Sequence, residues 1–342
     1  MSLKNLSVRN KIPNIYKSRL LNQRVNKIYK KFEKAFNIDT NFIVAVSGGS
    51  DSLALAFLTK VYALKKNLNP RYFIVDHKLR KESTNEADKV KRVLKSLKIN
   101  AHVLTWKGKK PVNNIQSLAR NKRYELLFSK CKKLKISNLV LGHHLDDLFE
   151  NFFFRISRGS GLKGLVSLGM NTQIKDINLI RPLIKFEKKD LLFISKFIFN
   201  FHVDDPSNHD VKFNRIKIRN LIKGFNDFGL DKKKFQLTIE NLRGSDHSIK
   251  FYVEKNKREN STFNNRKVEL ILKENFFDNS REVIFRSLSD LIHLMGKKPN
   301  FVRGKKIENI LSKIKEGKLR KETLGGCVIK MVNHTVILTK EQ

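Results

Sequence analysis

Ser47-Gly48-Gly49-Ser50-Asp51-Ser52 sets two glycines, three hydroxyls and one acid within six residues. Glycines let an anion approach the backbone, hydroxyls donate hydrogen bonds to it, and Asp51 can hold Mg2+ against phosphate oxygens. A second group, His143, Asp146, Asp147 and Glu150, crowds three acids into five residues of a chain with net charge +39. On a helix, His143, Asp147 and Glu150 stand at i, i+4 and i+7 and share one face, while Asp146 projects elsewhere. Such a face can seat a cationic substrate, bind a metal or supply a base. Asp76 and His77 form a third candidate point. The basic candidates are Arg215 and Arg219 at helical spacing, Gln116, Arg120 and Arg123 close to one helical face, and Arg158. Arg158-Gly-Ser-Gly-Leu-Lys-Gly164 contains a literal G-x-G-x-x-G, but it follows a helical pattern and lacks the strand context of a dinucleotide fingerprint. It reads as a basic loop beside the site.

These residues need elements to hold them. Residues 41–46 are a short β-branched apolar run, a buried strand, and residues 53–64 are apolar enough for a buried-face helix. The Ser47–Ser52 loop therefore sits at a strand-to-helix turn, where unpaired N–H groups and the helix dipole favour a phosphate. An apolar stripe predicts a helix over 23–36. Strands follow at 71–76, 101–106 and 136–142, with helices at 83–97 and 113–134; the first of these opens on Ser83-Thr-Asn-Glu86, the spacing of a capping box. Helix and strand alternating in this way predict an α/β, doubly wound, mostly parallel sheet. Ligands of such sheets bind outside the carboxyl ends of the strands, where Ser47, Asp76 and His143 would converge. A fifth strand is expected over 177–184, broken by Arg181-Pro182, then a helix over 189–199 and one beginning at Phe213. Beyond about residue 225 the pattern changes: a polar helix over 231–257 reads as a connector, and 267–342 reads as a small α+β domain. That domain has helices near 280–295 and 304–316 and a terminal strand pair, 323–332 with 335–339, turning at Asn333-His334.

Composition narrows the partners. Lys plus Arg is 71 against 32 Asp plus Glu, an excess that calls for a polyanion, nucleic acid first. Two cysteines, Cys131 and Cys327, far apart in sequence, supply neither a disulfide framework nor a cysteine-ligated cluster and suit a reducing cytosol. No apolar run reaches membrane-spanning length, and residues 1–18 lack the core of a signal peptide, so they read as a flexible basic arm of a soluble, cytoplasmic protein with no membrane partner.

Ser47-Gly-Gly-Ser-Asp-Ser52 resembles the SGGxDS loop of the PP-loop ATP pyrophosphatases. Further segments are narrower: Val75-Asp-His77-x-Leu-Arg80, Gln116-x-x-Ala119-Arg120-x-x-Arg123-Tyr124, Leu141-Gly-His-His-Leu-Asp-Asp147-x-x-Glu150, Arg158-Gly-Ser-Gly-Leu-x-Gly164-Leu, Arg181-Pro-Leu and Asp205-Pro-Ser-Asn208. In this order, across about residues 40–222, they resemble the tRNA(Ile)-lysidine synthetases. Leu148 replaces a common Gln, and Asn151 a common Thr; neither change removes a charge from the candidate site. Leu324-Gly-Gly is consistent with that family's tRNA-binding extension, and the additional C-terminal domain of longer members is not expected.

The resemblance implies an adenine nucleotide alpha hydrolase-like fold. It divides the chain into an arm and helix (1–37), an ATP-binding catalytic domain (38–225), and a helical connector with a tRNA-binding C-terminal domain (226–342). It implies ATP as co-substrate with Mg2+, free L-lysine, and the isoleucine tRNA with anticodon CAU. In the implied reaction the wobble cytidine O2 is adenylated and the lysine ε-amine then displaces AMP. Ser47, Gly48, Gly49, Ser50, Asp51, Ser52, Asp76 and His77 are expected at the nucleotide. His143, Asp147, Glu150 and Arg215 are expected at the chemistry, with either His143 or Glu150 as base. Gln116, Arg120, Arg123, Arg158 and Arg219 are expected to support the site or the tRNA. The alternatives are a thiolase-type enzyme of the same superfamily, which often needs cysteine clusters, a small-molecule ligase, and a non-enzymatic RNA-binding protein. The oligomeric state stays open, a homodimer included.

Overall fold

The computed structural model describes residues 12–80, 82–108, 115–204 and 214–341. The chain forms two compact units, Met1–Leu230 and Asp231–Gln342. In the first, α1 (Asn14–Leu20) and α2 (Gln23–Ala35) lead into β1 (Phe42–Val46), α3 (Ser50–Lys66), β2 (Arg71–Asp76), α4 (Ser83–Ser96), β3 (Ala101–Thr105) and α5 (Ile115–Leu134). Then come β4 (Asn138–Val140), α6 (Leu145–Ile156), the short α7 (Leu162–Leu165), β5 (Asn171–Ile174), β6 (Ile177–Ile180), α8 (Lys188–Phe199) and α9 (Asn214–Asp227). The six strands run in the order β3-β2-β1-β4-β6-β5, all parallel except the β5–β6 pair. The order reverses between β1 and β4, which makes their carboxyl ends the switch point of the sheet.

The strands are apolar throughout because both faces are covered. Phe42, Val44, Val46, Tyr72, Ile74 and Val140 join one core with α2, α3, α4 and α8. Ile43, Phe73 and Leu139, one residue out of phase, join Leu127 and Cys131 of α5 in another. α3 is buried nearly all round, and it stops at Asn67, in the left-handed region at φ 56°.

Three expectations change. The arm reading fails for α1, whose Tyr16 is buried in the main core; residues 1–11 lie outside the described part. The expected fifth strand over 177–184 is a hairpin: β6 stops at Ile180 and pairs with β5 in the register Ile174↔Ile177. Buried Arg181 then holds that hairpin, donating to Gly169 O at 3.0 Å and Thr172 Oγ1 at 2.9 Å. The capping box at Ser83 does not form. α4 is preceded by Glu82 without a side-chain cap, and the Ser83 and Thr84 hydroxyls turn back to Asp76 instead.

The second unit starts with α10 (Lys232–Asn260), whose first N–H groups are capped by Asp231. It continues through β7 (Ser261–Asn264), β8 (Glu269–Leu272), α11 (Arg281–Gly296), α12 (Gly304–Lys315), β9 (Lys321–Leu324), β10 (Cys327–Val332) and β11 (Thr335–Lys340). Its antiparallel sheet has the order β7-β8-β11-β10-β9. α10 is more than a connector: Val253 is buried, and Asn256 donates to Phe276 O and Ser287 Oγ inside the unit. The expected strand 323–332 breaks at Gly325-Gly326, both at positive φ, into the β9–β10 hairpin. Gly325 O lies 1.9 Å from where a Cβ on Gly296 would stand, so only glycine fits at that approach.

Candidate functional site

The residues that could do chemistry collect at the carboxyl ends of β1, β2 and β4. Gly48 sits at φ +90°, and a Cβ there would meet Val90 Cγ2 at 2.5 Å and Val203 Cγ2 at 3.0 Å. Ser52 organises the loop internally. Its Oγ accepts from Ser47 N and Gly48 N, both at 3.1 Å, donates to Gly49 O at 2.9 Å, and lies 3.2 Å from Ser47 Oγ. Ser47 is exposed, whereas Ser50 and Ser52 are buried. Gly49 caps α3 without a side chain, so the N–H groups of Ser50, Asp51 and Ser52 have no acceptor within the helix. The turn thus presents amides at the positive end of a helix, the local requirement for an oxyanion. Gly142, at the end of β4, lets the next segment pass close by: a Cβ there would stand 3.3 Å from Ser52 N and 3.4 Å from Asp51 O.

Asp76 is committed to its own loop. Oδ1 accepts from Lys78 N and Ser83 Oγ, both at 2.9 Å, and Oδ2 from Thr84 Oγ1 at 2.8 Å. Burial alone would raise its carboxyl, but the Lys78 N–H and the two hydroxyls hold it below the ordinary range. His77 stands at the rim, its Nε2 3.5 Å from Arg123 Nε, and its Nδ1 is buried with no hydrogen-bond partner among the described residues. Burial, helped by the Arg123 charge and opposed by Asp76, lowers its imidazole to about 4, so it is neutral at physiological pH.

The acid cluster lies on and just before α6. His144, not His143, is the N-cap: its Nδ1 accepts from Asp146 N at 3.2 Å, while Asp147 Oδ2 accepts from His144 N at 2.9 Å. Asp147 therefore does part of the capping work that acids at a helix start commonly do. The expected face still forms, because His143, Asp147 and Glu150 line one cavity with Arg120, Asn151 and Phe154. Glu150 is buried, and Arg219 Nε lies 2.6 Å from its Oε1. Packing of α9 on α6 makes that contact possible, with Ile218 and Ile222 buried and the Phe153 and Phe225 rings stacked at 5.3 Å.

Two residues absent from the sequence reading complete the centre. His144 Nε2 is 3.6 Å from Asp51 Oδ2 and 3.6 Å from Asp147 Oδ2, so one imidazole joins the loop to the acid face. The doubled His143-His144 before Leu-Asp-Asp was the available signal. Lys188, first residue of α8, places Nζ 2.8 Å and 2.7 Å from the two carboxylate oxygens of Asp51 and 3.0 Å from Ser50 Oγ. One lysine among many in so basic a chain carries no local signal.

Of the remaining basic candidates, Arg120 lines the acid cavity and Arg123 faces His77. Arg158 is exposed and lies over the Phe154 ring at 4.0 Å, and the loop after it does follow a helix. The side chains of Gln116 and Arg215, and the whole Asp205-Pro-Ser-Asn208 segment, lie outside the described residues. No group of three or more His, Cys, Asp or Glu that could hold a metal occurs among the described residues.

A doubly wound sheet with this loop at its switch point is the architecture of a PP-loop, ATP-using domain, and residues 18–224 match the family model described as a PP-loop domain. The thiolase NcsA from Methanococcus maripaludis, solved with its [4Fe-4S] cluster, has the same fold: TM-score 0.56 at 19% identity, covering 66% of this chain and 78% of that one. Over 323 residues the chain is 33% identical to the tRNA(Ile)-lysidine synthase of Orientia tsutsugamushi, covering 90% of this chain and 71% of that protein. It is 30% identical over 312 residues to the enzyme of the same name from the Wolbachia of Brugia malayi, covering 87% and 70%. The chain belongs to the tRNA(Ile)-lysidine synthase family.

Proposed function

We propose that this chain is a ligase that converts the wobble cytidine of an isoleucine tRNA with anticodon CAU to lysidine, using ATP and free lysine. The observation that carries the reading is the junction at His144, which sets a phosphate-binding turn against a face of acids. A ligase joining ATP to an amine needs both halves within one cleft. In the first step the cytidine O2 attacks the α-phosphorus and pyrophosphate leaves. In the second the lysine ε-amine attacks C2, the C–O bond to the adenylate breaks, and AMP departs with the bonding pair. The ε-ammonium gives up one proton before attack and the new C–N nitrogen a second afterwards.

In the first step the amides of Ser50–Ser52 and the Ser47 hydroxyl hold the triphosphate, in place before charge develops on it. Asp51 suits a Mg2+ shared with phosphate oxygens, since that ion takes one or two carboxylates and fills its shell from substrate and water. When bound, the ion would neutralise charge on the departing pyrophosphate. In the second step Asp147 and Glu150 seat the substrate's ammonium groups, a need made acute by a net charge of +39. Arg219 at 2.6 Å keeps Glu150 an anion, which fits it for seating a cation rather than accepting a proton. His143, on the same cavity, is then the base. The basic second unit supplies salt-sensitive backbone contacts to the tRNA.

A sulfur-transferring relative that relies on a cysteine-ligated cluster fits less well. The two cysteines are both buried and free, one in each unit, and burial pushes each thiol up to about 11. The test is incorporation of labelled lysine into the CAU isoleucine tRNA with release of AMP and pyrophosphate. Sulfur incorporation or a small amidated product, with no lysine label on intact tRNA, would overturn the proposal.

A further inference from the structure

Lys188 stands where a cation on Asp51 belongs. Its Nζ is within 2.8 Å of both carboxylate oxygens and 3.0 Å from the Ser50 hydroxyl, directly over the first turn of α3. Its backbone is fixed, because α8 is seated in the main core through Leu191, Ile194 and Ile198, and Phe186 O accepts from Leu145 N at 3.0 Å just upstream. Its side chain is not fixed. It is 38% exposed, against 23% for Asp51, and ends in a compact charge on a four-carbon stem.

We propose that Lys188 is a ligand of the ATP β- and γ-phosphates, parked on Asp51 while the nucleotide is absent. Three facts converge on this. An ammonium that holds both Asp51 oxygens competes with any divalent ion for the same atoms, so the two cannot share that carboxylate. The unbonded amides of Ser50–Ser52 draw phosphate oxygens to the spot over which Nζ already lies. The neighbouring cationic candidate, His144, bonds Asp146 N through Nδ1 and faces two carboxylates with Nε2, which leaves Lys188 as the long, movable donor at this end of the loop. When Mg-ATP arrives, Nζ exchanges one anion for another over a few ångströms and no core contact breaks. A half-exposed salt bridge with no such role would contribute about 0–1 kcal/mol of stability and nothing to ligand choice.

The inference rests on the ATP reading above, and the assay separates the two. Binding of Mn2+ alone, of AMP, and of α,β-methylene-ATP with Mg2+ is measured for the full chain, Lys188→Met and Lys188→Arg. Lys188→Met is expected to bind the triphosphate analogue about tenfold or more weakly, the loss of a charge-assisted bond, and AMP within about twofold of the parent. The same variant should bind Mn2+ without nucleotide several-fold more tightly, because Asp51 has lost its internal counter-ion. Lys188→Arg should recover part of the analogue affinity. Unchanged affinity for the analogue, or equal weakening of analogue and AMP, would overturn the proposal and leave Lys188 a structural ion pair. A parent chain that binds no analogue at all would instead break the ATP reading itself.

Discussion

Two acids of the first unit each carry a basic partner, and the pairs are built differently. Asp51 is met by Lys188, a flexible point charge touching both carboxylate oxygens at a half-open turn. Glu150 is buried and met by Arg219, whose Nε lies 2.6 Å away and whose guanidinium rides on α9, packed against α6. The first ligand expected at this site is an anion and the second a cation, so the two partners have opposite consequences. Lys188 can follow a phosphate, whereas Arg219 holds the place of an ammonium and must yield or share it. The phosphate half is limited by shape, with a glycine that has no room for a Cβ. The acid half is limited by charge.

The largest expected effects come from removing each acid. Asp51→Ala should abolish pyrophosphate release, by about 100-fold or more, since it removes both the metal's carboxylate and the Lys188 anchor. Glu150→Ala should slow lysine transfer by about 100-fold while ATP-dependent pyrophosphate release stays within about threefold. Its stability cost should be only about 1 kcal/mol, because Arg219, 38% exposed, can turn to water. Rapid-quench assays that follow pyrophosphate and labelled lysine separately read both variants. A Glu150→Ala chain that loses both steps together would mean the two halves do not divide the work.

A second test asks whether the phosphate half is truly set by shape. Gly48→Ala puts a methyl 2.5 Å from Val90 Cγ2 at a φ of +90°, so a cost of about 1–3 kcal/mol is expected, with loss of nucleotide affinity. Gly159 also has positive φ, +63°, but a Cβ there meets nothing within 4 Å, so Gly159→Ala should cost no more than about 1 kcal/mol. Thermal unfolding of the two variants compares them directly. Equal costs would show that backbone strain alone, rather than the Val90 and Val203 walls, sets the price at Gly48.

Legibility from sequence followed the same divide. The β1 strand, the Ser47–Ser52 turn and the convergence of Asp76 and His143 at one sheet edge were readable, because apolar periodicity and strand-to-helix punctuation are local. The partners of those residues were not. Ser52 bonding its own loop, Asp76 closing on Ser83 and Thr84, and Lys188 reaching Asp51 across 137 residues all depend on tertiary approach. Ser83-Thr-Asn-Glu86 is instructive: its hydroxyls had two possible acceptors, a helix end and a buried carboxylate, and the buried carboxylate won, since leaving it unbonded costs more. In the second unit, Gly325-Gly326 was read as strand because the flanking residues alternate, whereas two adjacent glycines at positive φ make a hairpin turn. There the punctuation was present and was underweighted.

The smallest effect expected concerns pH, and it tests whether the phosphate half tolerates another cation. His77 is held neutral by burial and by the charge of Arg123, with its folded pKa near 4 against an ordinary value of 6.5. A lowered histidine takes up its proton more readily in the unfolded chain, so its contribution is complete above pH about 6.5 and is lost as pH falls toward about 4. His77→Asn should therefore flatten the acid limb of stability across that window and change little at pH 7.5, as read from urea midpoints at several pH values. If the parent and His77→Asn fall in parallel from pH 6.5 to 4, the imidazole is not being kept uncharged. The contrast drawn above would then lose its electrostatic basis on the phosphate side, since a rim that accepts a protonated histidine beside Arg123 has no reason to hand Lys188 to an incoming anion.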